Sequence, residues 1–283
     1  MIKKKITGIF LLLLMSCFLL NAETSAENTS GTSYGFKFSI GWTFGCYKET
    51  TFANISQSLL SPRFQLEATI KSGNFMHVIT ADYYNARPKS AMTETAVLYK
   101  NYDPVSGENY YEASISHLSF HKIRLQYDMN YRIQGNNQLE LYTGGSFICN
   151  AFLQFEHYPS ITGLISIGPS GAVTYKINDR NKIALSGSIP LLGYGVRPSY
   201  AGCDARLMKY AEENFFKILT LGNFLSLHNY QSILLNFEYT VKVAEHFSTG
   251  LGLDFEYARI AVPKKRPLYY VDGNLKTFAM VNF

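Results

Sequence analysis

An alternation of period two returns along almost the whole length of this chain, and no other feature limits its fold so tightly. From Tyr34 to Phe44 the even positions are large and apolar: Tyr34, Phe36, Phe38, Ile40, Trp42 and Phe44. The odd positions between them, Gly35, Lys37, Ser39, Gly41 and Thr43, are small or polar. Successive side chains of a strand point to opposite faces, so this stretch is a strand with one apolar face. The pattern recurs in Phe64, Leu66, Ala68 and Ile70, which oppose Gln65, Glu67 and Thr69. It is cleanest in Ile123, Leu125, Tyr127, Met129, Tyr131 and Ile133, which oppose Lys122, Arg124, Gln126, Asp128, Asn130 and Arg132. Leu139–Leu153, Ile165–Ile177, Ile183–Leu191, Ile233–Val241, Phe247–Tyr257 and Leu275–Phe283 repeat it. Phe75–Tyr84 is a further strand whose phase the sequence leaves open.

These stretches make ten strands of about ten residues each. The turns at 71–74, 134–137, 178–181 and 243–246 are tight, whereas two connections, about 86–113 and about 197–229, are very long. An even strand count with short turns at one end and long loops at the other is the arrangement of outer-membrane barrels. The expected fold is all-β, a transmembrane antiparallel up-and-down β-barrel of about ten strands. It spans 34–283 as one domain, with a short helix in a long extracellular loop.

Ahead of the barrel, Lys3, Lys4 and Lys5 precede an apolar run from Ile9 to Leu20. The run is too short for a spanning helix of roughly 20 residues and has the length of a secretory h-region. Residues 1–22 are therefore expected to be a signal peptide and 23–33 an N-terminal periplasmic segment. Cleavage after Ala22 or Ala26 competes with lipidation at Cys17, which ends a loose "LMSC" lipobox. Without residues 1–22 the chain keeps 23 basic and 21 acidic residues, a formal charge of +2. That balance offers no footprint for nucleic acid. Cys46, Cys149 and Cys203 remain, an odd number, so this is not a disulfide scaffold, although a Cys46–Cys203 bridge stays open. No cysteine or histidine spacing suggests a metal, and no cofactor is expected.

Alternation alone does not say whether the apolar face meets lipid or a protein core. The apolar sets are rich in tyrosine and phenylalanine (21 and 20 in the chain), often at strand ends, as an interfacial aromatic girdle requires. The opposite face carries glycine, serine and charges of both signs, which suits a narrow lumen. The chain ends in "LKTFAMVNF", where Leu275, Ala279, Val281 and Phe283 alternate up to a terminal aromatic. This end resembles the closing strand of bacterial outer-membrane β-barrel proteins. The resemblance implies an outer-membrane location in a Gram-negative bacterium and recognition of Phe283 by the barrel assembly machinery.

A ten-stranded barrel is narrow, and side chains largely fill it. The inward set is expected to include Lys37, Glu67, Arg124, Asp128, Arg132, Glu140, Glu238, Asp254, Glu256 and Lys276. Charges of both signs would crosslink into a network that blocks free diffusion; a gated narrow pore is the alternative.

Catalytic motifs are sparse. "GTSYG" (31–35) matches G-x-S-x-G, but it precedes a strand rather than joining a strand to a helix, so it reads as a chance match. In "HLSFH", His117, Ser119 and His121 share the parity of Ile123 and Leu125, which would turn them outward. A His–Ser pair two apart on one face can act as base and nucleophile. In this feature the segment resembles the outer-membrane phospholipases, which implies lipid hydrolysis by His117 and Ser119. Leu118 and Phe120 raise the possibility of a local flip in phase. Ten strands also resemble the omptin proteases, whose catalysis rests on acidic and Asp-x-His pairs. No Asp-x-His occurs here, and Asp254 and Glu256 lie mid-strand.

The long loops carry the remaining signal. Tyr99, Tyr102, Tyr110 and Tyr111 stand among acids in the first. In the second, 204–222 has a helical pattern with Asp204 and Gly222 as caps. Its apolar stripe, Leu207, Met208, Ala211, Phe215, Ile218 and Leu219, would cover the barrel mouth or dock on a partner. The function expected is that of a non-enzymatic subunit or scaffold of an outer-membrane assembly, acting through these loops. Its partners would be outer-membrane lipid and other envelope proteins.

Overall fold

The computed structural model describes residues 32–49, 56–89, 97–102, 109–114, 119–136, 138–155, 160–197, 220–262 and 267–283, with Lys209, Tyr210, Glu213 and Lys217 between them. The expected signal peptide, residues 23–31, Cys17 and Cys203 lie outside the described residues.

Ten antiparallel strands close a barrel. They are β1 (Thr32–Glu49), β2 (Gln57–Ser72), β3 (Phe75–Ala86), β6 (Ser119–Gly135), β7 (Leu139–Phe155), β8 (Ser160–Lys176), β9 (Asn181–Ser188), β12 (Tyr230–Lys242), β13 (Phe247–Ile260) and β14 (Leu268–Asn282). The first and last strands pair over Gly35–Glu49 and Leu268–Asn282, and β8 pairs with β9, so the ring has no free edge there. Closure is what a bilayer demands, because it offers no water to an unpaired backbone group. Tyr34 and Phe283 exchange backbone hydrogen bonds of 3.1 and 2.8 Å, which zips the C-terminal residue onto β1.

Four more strands stand at the long-loop end. β4 (Val97–Tyr102) and β5 (Asn109–Ser114) form a separate hairpin within the first long connection. β10 (Leu192–Val196) and β11 (Asn223–Ser226) extend the wall beyond β9. The single strand expected over Ile183–Leu191 is interrupted: β9 ends at Ser188, and Pro190, with no N–H to donate, cannot continue a two-sided ladder. The β8 side stays paired through Ile189 N–H to Pro169 O (3.1 Å) and Leu191 N–H to Ile167 O (2.9 Å). On the other side the partner changes from β12 to β11.

The two faces are inverted relative to a soluble barrel. On β1, Phe38, Ile40, Trp42 and Phe44 are 45–60% exposed, while Lys37, Ser39 and Thr43 are at most 5% exposed. Leu125, Met129, Ile167, Leu185, Leu235 and Leu253 continue the exposed apolar surface around the ring. Charged side chains fill the interior instead. Only a hydrocarbon solvent makes that surface stable, so the apolar face meets lipid.

The phase left open on β3 is settled by its pairing. Phe75, His77 and Ile79 turn outward, and Thr80, Asp82 and Tyr84 turn inward. β6 has no local flip: Phe120 is fully buried in the lumen, and the only register shift falls at Arg132/Gln134. Cys46 lies in β1, faces outward and is a free cysteine.

Candidate functional site

The lumen is layered along its axis. At the long-loop end an apolar plug is built from inward side chains of several strands, with Tyr47, Tyr84, Phe120, Phe152, Tyr230 and Tyr270 at its centre. Tyr47 and Phe120 pack with tilted rings, centroids 4.7 Å apart, and Phe152 meets Tyr270 edge-on at 5.4 Å. The Tyr84 and Tyr270 hydroxyls share a hydrogen bond of 2.8 Å, so each buried phenol has a partner.

Beneath the plug lies a layer of ion pairs. Arg63 bonds Asp82 (3.0 Å) and Asp272 (3.4 Å). Arg124 pairs with Asp82 (2.6 Å) and Glu256 (2.9 Å), and Lys122 donates to Glu256 (2.5 Å) and to the Tyr270 hydroxyl (2.9 Å). Tyr270 in turn donates to Asp272. The Lys122 ammonium also sits 4.2 Å from the Tyr270 ring centroid, a cation–π contact. Three cations and three anions thus neutralise one another, which is the condition for burying them.

A second cluster follows. Lys37 bridges Glu67 and Glu238, both at 2.8 Å, and Lys276 bridges Glu238 (3.1 Å) and Asp254 (2.8 Å). Gln65 accepts from Lys276 at 2.8 Å, and Asn274 donates to Asp254 at 2.9 Å.

Below this the lumen opens at the short-turn end as a cavity of about 640 Å³. Lys71, Asp128, Lys176, Lys182, Ser186 and Asn282 are among its lining. Glu140 holds Lys71 at 3.4 Å and lies 3.8 Å from Lys176.

The structure therefore brings Lys37, Glu67, Arg124, Glu238, Asp254, Glu256 and Lys276 into one connected interior. Asp128 lies apart from the ion pairs and accepts from Gln126 in the cavity wall. Arg132 sits at the rim and donates to Asn74 at 2.9 Å. Sequence reasoning missed Arg63, Asp82, Lys122 and Asp272 as members of the network. Asp82 needed the phase of β3, and Arg63 and Asp272 fall in strand ends beyond the clean alternation. It also missed the apolar plug, because near the outer end the contrast between the faces is reversed or lost: Phe120 lies between Ser119 and His121, and Phe152 between Ala151 and Leu153.

On the exterior, Ser119 and His121 do face outward on β6, and the His121 ring shares a 2.9 Å hydrogen bond with the Tyr83 hydroxyl. His117 lies outside the described residues. Among the described outward-facing residues there is no carboxylate to orient an imidazole. Ser33 of "GTSYG" belongs to continuous strand β1, not to a strand–helix elbow. No cluster of three metal-ligating side chains occurs among the described residues.

At the mouth, the buried Arg197 guanidinium donates to Ile260 O (3.2 Å) and Val262 O (2.7 Å), tying the chain after β10 to the end of β13. Val196 packs with Tyr210 and Leu221. The stripe Leu207, Met208, Ala211, Phe215, Ile218 and Leu219 lies outside the described residues, and the expected continuous helix is not established by those that remain. Glu213 lies 3.8 Å from Lys209 and accepts from Lys217 at 2.9 Å.

The fold is that of bacterial outer-membrane β-barrels. The chain superimposes on the outer membrane protease OmpT from Escherichia coli with a TM-score of 0.51 and 6% identity, covering 92% of this chain and 100% of that one. Neisserial surface protein A matches with a TM-score of 0.36 and 11% identity, over 90% of this chain and all of that one. The Yersinia pestis attachment invasion locus protein Ail, in complex with the heparin analogue sucrose octasulfate, gives a TM-score of 0.28 and 11% identity, covering 88% and 99%. No family model matches the sequence, and neither does any curated protein.

Proposed function

We propose that this chain is a non-enzymatic outer-membrane barrel that serves as a subunit or scaffold of an envelope protein assembly. It engages its partners through the structures at its outer end. The observation that carries this reading is the filled lumen: an apolar plug above two ion-paired charge clusters leaves side chains, not a channel, on the barrel axis among the described residues. The mass beyond the membrane is instead invested in β4–β5, β10–β11 and the segment tied down by Arg197. In this reading Phe283 is the assembly signal, outer-membrane lipid surrounds the wall, and the host is a Gram-negative bacterium.

The test is purification of the tagged chain from native outer membranes in mild detergent, followed by sizing and identification of stoichiometric companions. A defined complex with crosslinks from 86–113 or 204–222 is expected. A lone barrel of the chain's own mass would overturn the scaffold reading.

The periplasm-open cavity favours a gated pore as a second reading. Silence in planar-bilayer recordings would remove it. The outward Ser119 and His121 favour a third, hydrolysis of envelope lipid, which Ser119→Ala should abolish if it exists.

A further inference from the structure

Across the ten barrel strands, the described outward-facing positions hold only two side chains of fixed charge, Lys48 and Arg259. They are not scattered. Lys48 of β1 stands opposite Tyr269 of β14, and Tyr269 stands opposite Arg259 of β13. The three side chains therefore form one row, cation–tyrosine–cation, across adjacent strands. With strands about 4.8 Å apart, the backbones of Lys48 and Arg259 are about 10 Å apart. Both side chains are half-buried, and neither makes a hydrogen bond or ion pair with another described residue.

The height of the row is as informative as its composition. Below it the same strands carry Cys46, Val271 and Tyr257, then Phe44, Gly273 and Phe255, then Trp42, Leu275 and Leu253, all uncharged. Ten residues separate Phe38 from Lys48; at about 3.4 Å per residue and a tilt of about 40° they rise about 26 Å. That matches the height of about 25 Å of the apolar band of a membrane barrel. The row thus stands where acyl chains give way to headgroups, at the long-loop end, which faces the outer leaflet. The opposite rim has an aromatic girdle, with Phe36 against Phe283 and Phe75 against Tyr131, and no fixed charge among its described outward positions.

We propose that Lys48, Tyr269 and Arg259 form a binding site for the phosphate groups of the phosphorylated glycolipid in the outer leaflet. An ammonium, a guanidinium and a phenol supply only donors or act as donors here, and a guanidinium fork fits phosphate oxygens in pairs. The spacing of about 10 Å lets the two cations take two phosphates of one headgroup, or both clasp one. Phosphate in this place completes two cations that have no hydrogen-bond or ion-pair partner among the described residues. The site anchors the wall formed by β1, β14 and β13 to the outer leaflet and sets the barrel's depth.

The test uses the full protein, purified from native outer membranes in mild detergent and observed by native mass spectrometry. A bound population carrying the mass of phosphorylated glycolipid is expected. Lys48→Gln combined with Arg259→Gln should lower that population about tenfold or more, as the loss of charged hydrogen bonds implies. Lys48→Arg with Arg259→Lys should keep most of it. Equal retention in the glutamine pair overturns the proposal. Should that pair fail to fold, the wild-type protein in vesicles gives the answer through its thermal midpoint. Intact lipid A should raise the midpoint, and dephosphorylated lipid A should not. Equal stabilisation by the dephosphorylated form, or by phosphatidylglycerol, would overturn the glycolipid assignment.

Discussion

Glu256 ties two cations of the upper charge layer together. It is 1% exposed and accepts from both Lys122 and Arg124. Substituting Glu256→Ala would leave two buried cations short of one counter-charge, and Asp82 and Asp272 already answer to Arg63. Removing one partner of a buried pair typically costs about 3–5 kcal/mol. The expected result is a clear drop in the urea midpoint of the protein refolded in vesicles, whereas exposed Glu245→Ala should leave it unchanged. The sequence displayed Glu256 as an inward acid in a clean alternation. It did not display Lys122 and Arg124 as its partners, because they lie 134 and 132 positions away. The apolar plug was hidden for a different reason. Phe120 stands inward between the polar outward residues Ser119 and His121, and Phe152 between Ala151 and Leu153, so the apolar–polar alternation is reversed in one strand and lost in the other.

Elements that follow a single partner were read more easily than elements that change partners. The tight turns at 73–74 and 177–180 connect strands whose pairing is local, and those hairpins are visible as alternation, turn, alternation. β9 and β10 are one stretch of sequence that the Pro190 region divides, and nothing local announces that its second half pairs with a four-residue strand beginning 31 positions beyond Leu192. Arg197 secures this region. Its two hydrogen bonds to the carbonyls of Ile260 and Val262 replace backbone pairing that the end of β13 would otherwise leave unmade. Arg197→Ala removes charge-assisted bonds worth about 1.5–3 kcal/mol each. The expected outcome is faster cleavage by added protease between β10 and β11, with the barrel fragment left intact. An unchanged cleavage rate would mean that the tie holds nothing in place.

Among the described residues, the lumen is filled toward the long-loop end and open at the short-turn end. The apolar plug and the paired charges stand between the outer mouth and the cavity that Lys182 and Ser186 line. In a background with Cys46→Ser, Cys149→Ser and Cys203→Ser, a cysteine replacing Ser186 should react with a membrane-impermeant maleimide only after the periplasm is opened to the reagent. Reaction in intact cells would reveal a continuous path and would favour the pore reading.

The strand number, the lipid-facing set and the end that carries the long loops are all properties of short segments. Period and turn chemistry are encoded within about ten residues, so they can be read in order along the chain. Which inward side chains meet is different. Lys37 reaches Glu238 across 201 positions because closure of β1 on β14 and the stagger of every intervening pair bring them to one height. The same closure sets Lys48 beside Tyr269 and Arg259 on the outer wall. A shift of register by two residues between β1 and β14, or between β14 and β13, would preserve every apolar and polar face yet break both arrangements.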